Sequence, residues 1–273
     1  MDFVDKALAR RLEAAEEIPQ VRYAEIYQQS RPEVGAAVEA ICGGHMIFAG
    51  LNSPIGRTVG MGFDGSATAA ELVRMEQFYW SHKAPSQIDV CPYTDSLLME
   101  LLKGRGYTLS EINNVLFRRL NETFERSATD GFTVRAARTD EIGKMAEIIV
   151  RSFFPEGDAP KHFASLIAPI YQVQGALSFV AEYDGEVVAC GSGLVIAEHG
   201  IAALFGAATL PEYRARGMQT ALHYARLNAA AQKGCEFAVV VTQGGTTSQR
   251  NAQRIGFQVG YSKATLVRDF TTP

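Results

Sequence analysis

Cysteine is sparse. The 273 residues hold four, Cys42, Cys91, Cys190 and Cys235, and none forms a CxxC pair. A disulfide framework or a zinc knuckle would want closer spacing. Cys91 and Cys190 lie inside apolar runs, where a buried reduced thiol is the ordinary state, so the pattern points to a reducing compartment. There is no basic excess either. The formal net charge of −4 gives no support to polyanion binding. No stretch is long and apolar enough to span a bilayer. The opening MDFVDKALARRLEAAEEIPQ meets acids at once and has no apolar segment of signal-peptide length. The histidines His45, His82, His162, His199 and His223 share no ligand spacing, so no metal is expected. What remains is a soluble cytoplasmic protein with no nucleic-acid or membrane partner. Its length is a prior for two domains.

Local signals give an alternating α/β order. Residues 3–17 read as an amphipathic helix closed before Pro19. Residues 34–42 form a short apolar segment ended by Gly43-Gly44. Residues 45–49 and 58–63 read as strands, broken by a turn containing Asn52, Pro54 and Gly56. Thr68 can cap a helix reaching about His82, with Glu71 placed as a capping box requires. A strand at 87–91 stops at Pro92, a helix capped by Asp95 ends at Gly104 and Gly106, and a strand covers 115–120. The polar NETFERSATDG, residues 121–131, is the linker candidate. Beyond it come a strand at 132–135, a helix at 140–153 and a hairpin of strands 177–182 and 186–194 turning at Asp184-Gly185. A strand at 201–209, a helix at 218–233, a strand at 237–242, a short helix at 248–255 and a strand at 260–267 complete the chain.

The two halves repeat. An offset of 150 sets the helix at Thr68 beside the one at Met218, IDVCP beside AVVVT, Gly106-Tyr107 beside Gly256-Phe257, and NVLFR beside ATLVR. We read a tandem duplication of one α/β unit, with domains at 1–125 and 132–273.

The run ATLPEYRARGMQTAL, residues 208–222, leaves a strand, makes an Arg- and Gly-rich loop and enters a helix. Backbone N–H groups at a helix start have no helical partner and, with the helix dipole, favour an anion. Gly217 lets an anion approach that backbone. Thr220 adds a hydroxyl, and Arg214 or Arg216 adds charge at the rim. The arrangement suits a diphosphate. It is not a nucleotide P-loop, since GxxxxGK[ST] is absent, nor a GxGxxG dinucleotide fingerprint.

The run resembles the signature of the GNAT superfamily of N-acetyltransferases, which has Arg or Gln, two residues, Gly, one residue, then Gly or Ala. Here Arg214 and Gly217 match, and Gln219 departs. The entry TLPEY (209–213) also fits. A second landmark, a helix ending in Gly-Phe, reads SQRNAQRIGF (248–257) after the lead-in GGTTSQRN. The resemblance covers about residues 132–268. It implies a mixed α/β tandem acyl-CoA N-acyltransferase fold with acetyl-CoA as co-substrate. It further implies a strand that splays from its neighbour and pairs with the pantetheine arm at about Ala207–Leu210. Thr209, Leu210, Arg214, Arg216, Gly217, Met218, Gln219 and Thr220 are then the cofactor-binding candidates, joined by Ser248 and Asn251 near the thiol.

The implied chemistry is direct attack of a neutral amine, from a small molecule or a peptide, on the thioester. It needs an oxyanion donor, which a backbone N–H near Leu210 can supply, and a base. No base is assigned. Glu182 and Glu198 qualify by position only, and a solvated strand end is the plainer reading of each. No acid is assigned either. Many relatives carry Tyr where this chain has Ala252, and Ser248 and Tyr261 are substitutes. In the first half, Asp64, Ser66 and Ala67 align with Arg214, Arg216 and Gly217. An acid there repels a diphosphate, so the first half reads as a degenerate copy. A non-catalytic acyl-CoA sensor is the alternative function, and a homodimer is left open.

Overall fold

The computed structural model describes residues 3–270 except 52, 54, 125–130, 155 and 160–162. Asn52, Pro54, His162 and most of the linker candidate lie outside the described residues. The chain folds into two compact units. The first takes in Met1–Leu116, Val241–Gln249 and Gln258–Pro273, and the second Phe117–Val240 and Arg250–Phe257. The last segment of the chain therefore belongs with the first unit.

The first unit opens with α1 (Lys6–Ser30), whose Asp5 cap accepts from Leu8 N at 2.8 Å. The expected stop before Pro19 does not occur, and α1 runs through it. A proline inside a helix costs roughly 3 kcal/mol in lost hydrogen bonding and steric crowding. Past it, Tyr23, Ala24 and Tyr27 are fully buried. Burying each of these aromatics returns an amount of the same order, about 2 kcal/mol. β1 (Ala37–Ile41) and β2 (Gly44–Phe48) make a hairpin turning at Cys42 and Gly43, which have φ of 44° and 81°. The strand expected at 58–63 shrinks to single bridges, Val59 to His45 and Thr58 to Ile88. Gly60 and Gly62 take positive φ there and break the extended run. Then follow α2 (Ala69–Ser81), β3 (Ser86–Val90), α3 (Ser96–Gly104) and β4 (Thr108–Arg119). β4 starts seven residues earlier than its apolar stretch announced, because its first half is polar.

The second unit carries β5 (Thr133–Ala136), α4 (Ile142–Phe153), α5 (Phe163–Ile167), β6 (Phe179–Tyr183), β7 (Glu186–Ile196), β8 (Ile201–Thr209) and α6 (Met218–Gln232). β9 (Phe237–Gln243) and α7 (Thr247–Arg254) fall across both units, and β10 (Gln258–Arg268) lies in the first. The β6–β7 hairpin turns at Asp184 and Gly185 with φ of 49° and 81°, as the dipeptide predicted. Within the second unit the strand order is β9-β8-β7-β6-β5, antiparallel except for the parallel pair β8–β9. α4 and α6 pack on β7 and β8. A core of Met145, Ile148, Val180, Cys190, Met218 and Leu222 lies among these elements.

The order of elements recurs along the chain. α2, β3, α3, β4 and α6, β9, α7, β10 follow in the same order. α3 ends with Tyr107 N bonded to Leu102 O and Gly106 N to Lys103 O. α7 ends with Phe257 N bonded to Ala252 O and Gly256 N to Gln253 O. Gly106 and Gly256 have φ of 79° and 87°. One feature departs from a simple repeat. The strand next to β3 is β10, paired antiparallel from Ala264↔Val90 to Arg268↔Ser86, and β10 stands between β3 and β4.

Candidate functional site

β8 delivers the chain to the loop. Its parallel ladder with β9 runs only through Ile201↔Phe237, Ala202↔Ala238 and Ala203↔Val239. β8 then continues to Thr209 without further pairing on that side among the described residues. On its other side it stays on β7 to the end, where Ala208 faces Cys190 and Thr209 faces Ala189. The early end of the ladder agrees with the splay the resemblance implies.

After β8 a 3-10 turn, Pro211–Tyr213, leads into Arg214, and Ala215 follows with φ of 63°. A non-glycine residue held there stores about 1–3 kcal/mol. Gly217 is the N-cap of α6 with φ of 79° and offers no side-chain cap. The first N–H groups of α6 are left without the side-chain acceptor that usually satisfies one of them. Two left-handed residues two positions apart curve the backbone into a concavity lined by N–H groups, a geometry suited to anions. A Cβ on Gly217 would meet no protein atom within 4 Å. The glycine thus serves φ and approach from outside, not internal packing.

The side chains around this loop divide. Arg214 is committed to the fold, with Nε donating to Thr209 O at 3.2 Å and Nη2 to Ser152 O at 3.1 Å. Arg216 lies over the rings of Tyr183 and Tyr213, at 4.9 and 5.7 Å from their centroids. Those rings hold the guanidinium without neutralising it. Gln219, the departure from the signature, turns its Nε2 onto Thr209 Oγ1 at 2.8 Å. The larger side chain is stowed against β8 and does not cover the helix start. Met218 is buried and Thr220 exposed. Leu210 N is already bonded to Val188 O at 3.0 Å, so it is not the free oxyanion donor the sequence suggested. Thr209 O takes bonds from both Ser152 and Arg214. On the side that β9 leaves, β8 has no ladder partner over Leu204–Ala208 among the described residues, a stretch that overlaps the expected Ala207–Leu210 in part.

The candidates beyond the loop are less concentrated. Ser248 is exposed and Asn251 half-buried, both on α7, with Ser248 in the first unit and Asn251 in the second. Glu182 is bound to Arg135 at 2.9 Å, and Glu198 is exposed in a 3-10 turn at the opposite end of β8 from the loop. Eight strand residues precede Thr209 from that end, roughly 25 Å of extended backbone. Tyr261 donates to Glu13 Oε1 at 2.6 Å inside the first unit. Burial and then the Glu13 charge push its pKa well above the usual phenol range. It is a poor proton donor there. Sequence reasoning missed a residue in the second unit, Arg226, whose side chain has no exposed surface. Its helical position gave no sign that it points inward.

The α2 start shows the contrast. Its cap is Thr68, with Oγ1 accepting from Glu71 N at 3.2 Å and an acid in the first turn. Cap against cap, Gly217 corresponds to Thr68, one place on from the Ala67 that the fixed offset gave. Ala67 itself is fully buried. The N–H groups of α2 are thus partly satisfied from within, beside a negative charge.

A strand that parts from its neighbour, followed by an uncapped helix start under a basic loop, defines an acyl-CoA-type transferase fold. Residues 143–257 match the model of the Acetyltransferase (GNAT) family. A GCN5-related N-acetyltransferase from Kribbella flavida superposes with a TM-score of 0.63 at 16% identity, covering 89% of this chain and 94% of that one. A tandem GNAT protein from the clavulanic acid biosynthesis pathway gives 0.57 at 12% identity, over 73% and 69%. A GCN5-related N-acetyltransferase from Sphaerobacter thermophilus gives 0.52 at 16%, over 68% and 61%. At these identities the likeness is one of fold. No curated protein matches the chain in sequence. No helix among the described residues is long and apolar enough to cross a membrane.

Proposed function

We propose that the protein is an acetyl-CoA-dependent N-acetyltransferase acting on an amine of a small molecule or peptide. The observation that carries this is the α6 start, uncapped at Gly217, with Arg216 held on Tyr183 and Tyr213 above it. The pyrophosphate sits on the N–H groups of Met218, Gln219 and Thr220, and the pantetheine amides pair with the open edge of β8 over Leu204–Ala208. Asn251 is the candidate neighbour of the thiol. The amine nitrogen attacks the thioester carbonyl carbon. The C–N bond forms, the C–S bond breaks, the sulfur leaves with a proton, and the amine proton passes to water or a base. Orientation and dipoles supply most of the rate in such a site.

The same reading makes 1–125 and 132–273 two copies of one domain. The first is degenerate, since Thr68 and Glu71 occupy the place where the second receives an anion. Four unpaired cysteines fit a cytoplasmic setting. A non-catalytic acyl-CoA sensor is the second reading. It is favoured by Ala252 at the site of the usual tyrosine and by the engagement of Glu182 with Arg135. The test uses the full chain. Calorimetry with acetyl-CoA measures binding, and thiol release is followed across a panel of amines. Binding with amine-dependent release supports the enzyme, binding without release the sensor, and no binding overturns both.

A further inference from the structure

α6 carries a buried cation with no counter-charge among the described residues. Arg226 is fully buried. Its Nε donates to Leu222 O at 3.0 Å, and Nη1 donates to Ser192 O at 2.8 Å and to Phe205 O at 3.4 Å. Nη2 has no hydrogen-bond partner, and no carboxylate acts on the guanidinium among the described residues. Burial draws its pKa down only to about 10, so it is charged at neutral pH. The nearby His223 is no counter-ion. Burial and then the Arg226 charge hold its pKa well below the usual imidazole range. Room for the guanidinium exists because residue 191 is glycine, where a Cβ would lie 2.9 Å from Arg226 Cζ.

The two carbonyls that Arg226 holds are not arbitrary. In the β7–β8 ladder Cys190 faces Ala208 and the next pair is Ser192 with Phe205. Gly191 therefore stands opposite both Gly206 and Ala207, a bulge, with Gly206 at φ of 55°. Ser192 O and Phe205 O belong to the pair that closes one end of that bulge, one on each strand. The bulge begins just past Ala203, where β8 leaves β9. An apolar side chain over Gly191 would suit the interior better than an unpaired cation. A local choice that works against stability is expected where function needs it.

We propose that Arg226 is a positioning residue for acyl transfer. By gripping Ser192 O and Phe205 O it fixes the β8 bulge, and so sets the direction in which the open backbone of Leu204–Ala208 meets the pantetheine arm. This rests on the acetyl-CoA reading above. The side chain does not touch the reacting atoms. It acts through the strand.

The test compares R226M and R226K with wild type in the full chain. Three quantities are measured: the melting temperature, the acetyl-CoA dissociation constant, and hydrogen exchange of the amides at 204–209. In R226M the melting temperature is expected to hold or rise, because a costly buried charge is gone. Exchange at 204–209 rises at least tenfold, and acetyl-CoA binds at least tenfold more weakly. R226K keeps the charge but loses the Nε bond to Leu222 O that fixes the head group, so its exchange and affinity fall between the two. A large loss of melting temperature in both variants would make Arg226 a stability brace and overturn the role. So would wild-type exchange and affinity in R226M. If wild type itself binds no acetyl-CoA, the functional reading fails and takes this role with it. A wild type that binds, with an unaffected R226M, sinks this role alone.

Discussion

Gly217 and Thr68 cap corresponding helices and treat the helix start in opposite ways. Thr68 fills it with its own hydroxyl, whereas Gly217 leaves it open. Exchanging Thr68 for alanine is expected to cost about 1 kcal/mol of stability and to leave acetyl-CoA affinity unchanged. G217V is expected to weaken acetyl-CoA binding at least tenfold. Its stability cost is small, about 1–2 kcal/mol for the left-handed φ, because no protein atom stands where the new Cβ goes. Urea unfolding and calorimetry on both variants separate the effects, and equal losses of affinity would remove the asymmetry between the copies. The glycine, the arginines and the strand-loop-helix order were legible in the sequence. The division of labour between Arg214 and Arg216 was not, since two arginines two places apart look alike until the backbone shows which one faces Thr209 O. Gln219 is similar. Its departure from the signature was legible, and its bond to Thr209 was not.

At the level of elements, two ionic clusters tie helices to strands. Around β10, Lys263 is 1% exposed and contacts Glu13 and Glu16 of α1 and Asp89 of β3. Burial works to lower its pKa, yet these carboxylates hold it well above the usual lysine value. Glu13 is moved the other way, up, chiefly by burial. K263M would strand these acids, and the expected loss is about 3–5 kcal/mol at neutral pH. Part of it should return in mild acid, as protonation relieves the unpaired charge. Urea titrations at pH 7 and pH 5 measure both. In the second unit, Arg135 of β5 binds Glu141 at 2.7 Å and Glu182 of β6 at 2.9 Å. The Arg135 hydrogen bond is the main cause that lowers the Glu141 pKa to about 2 from 4.5. A depressed carboxylate contributes stability that is present above its unfolded value and lost as pH falls through the folded one. The urea midpoint is therefore expected to decline from pH 4.5 toward pH 2, and E141Q to flatten part of that decline. Most elements could be read from capping residues, glycines and apolar runs. α1 and β4 were underestimated for physical reasons. Tertiary burial of Tyr23 and Tyr27 carries α1 past Pro19, and β4 begins on polar residues that only ladder bonds can reveal.

For the whole molecule, the recurring order of elements was visible as a spacing in the sequence, but the partner of β3 was not. Strand pairing is a long-range choice that leaves no local mark. β10 completes the first unit, bringing Lys263 and Tyr261 to Glu13 and Thr265 to Asp89 at 2.7 Å. A fragment ending at residue 125 is therefore expected not to fold alone. Circular dichroism and gel filtration of that fragment are the check, and a cooperative monomeric melt would contradict it. The arrangement also puts a delay into synthesis. β4 ends at Arg119 and β10 begins only at Gln258. At roughly 5–20 residues per second a ribosome needs about 7–28 s to cover that distance. For that interval β3 has an open edge and its carboxylates lack their lysine, in a nascent chain that is already long enough to collapse. An exposed edge strand recruits other strands. The first half of the protein thus depends on being shielded until β10 has been made, and ribosome-bound chains stalled before residue 258 should be captured by holdase chaperones while chains extended past β10 are not.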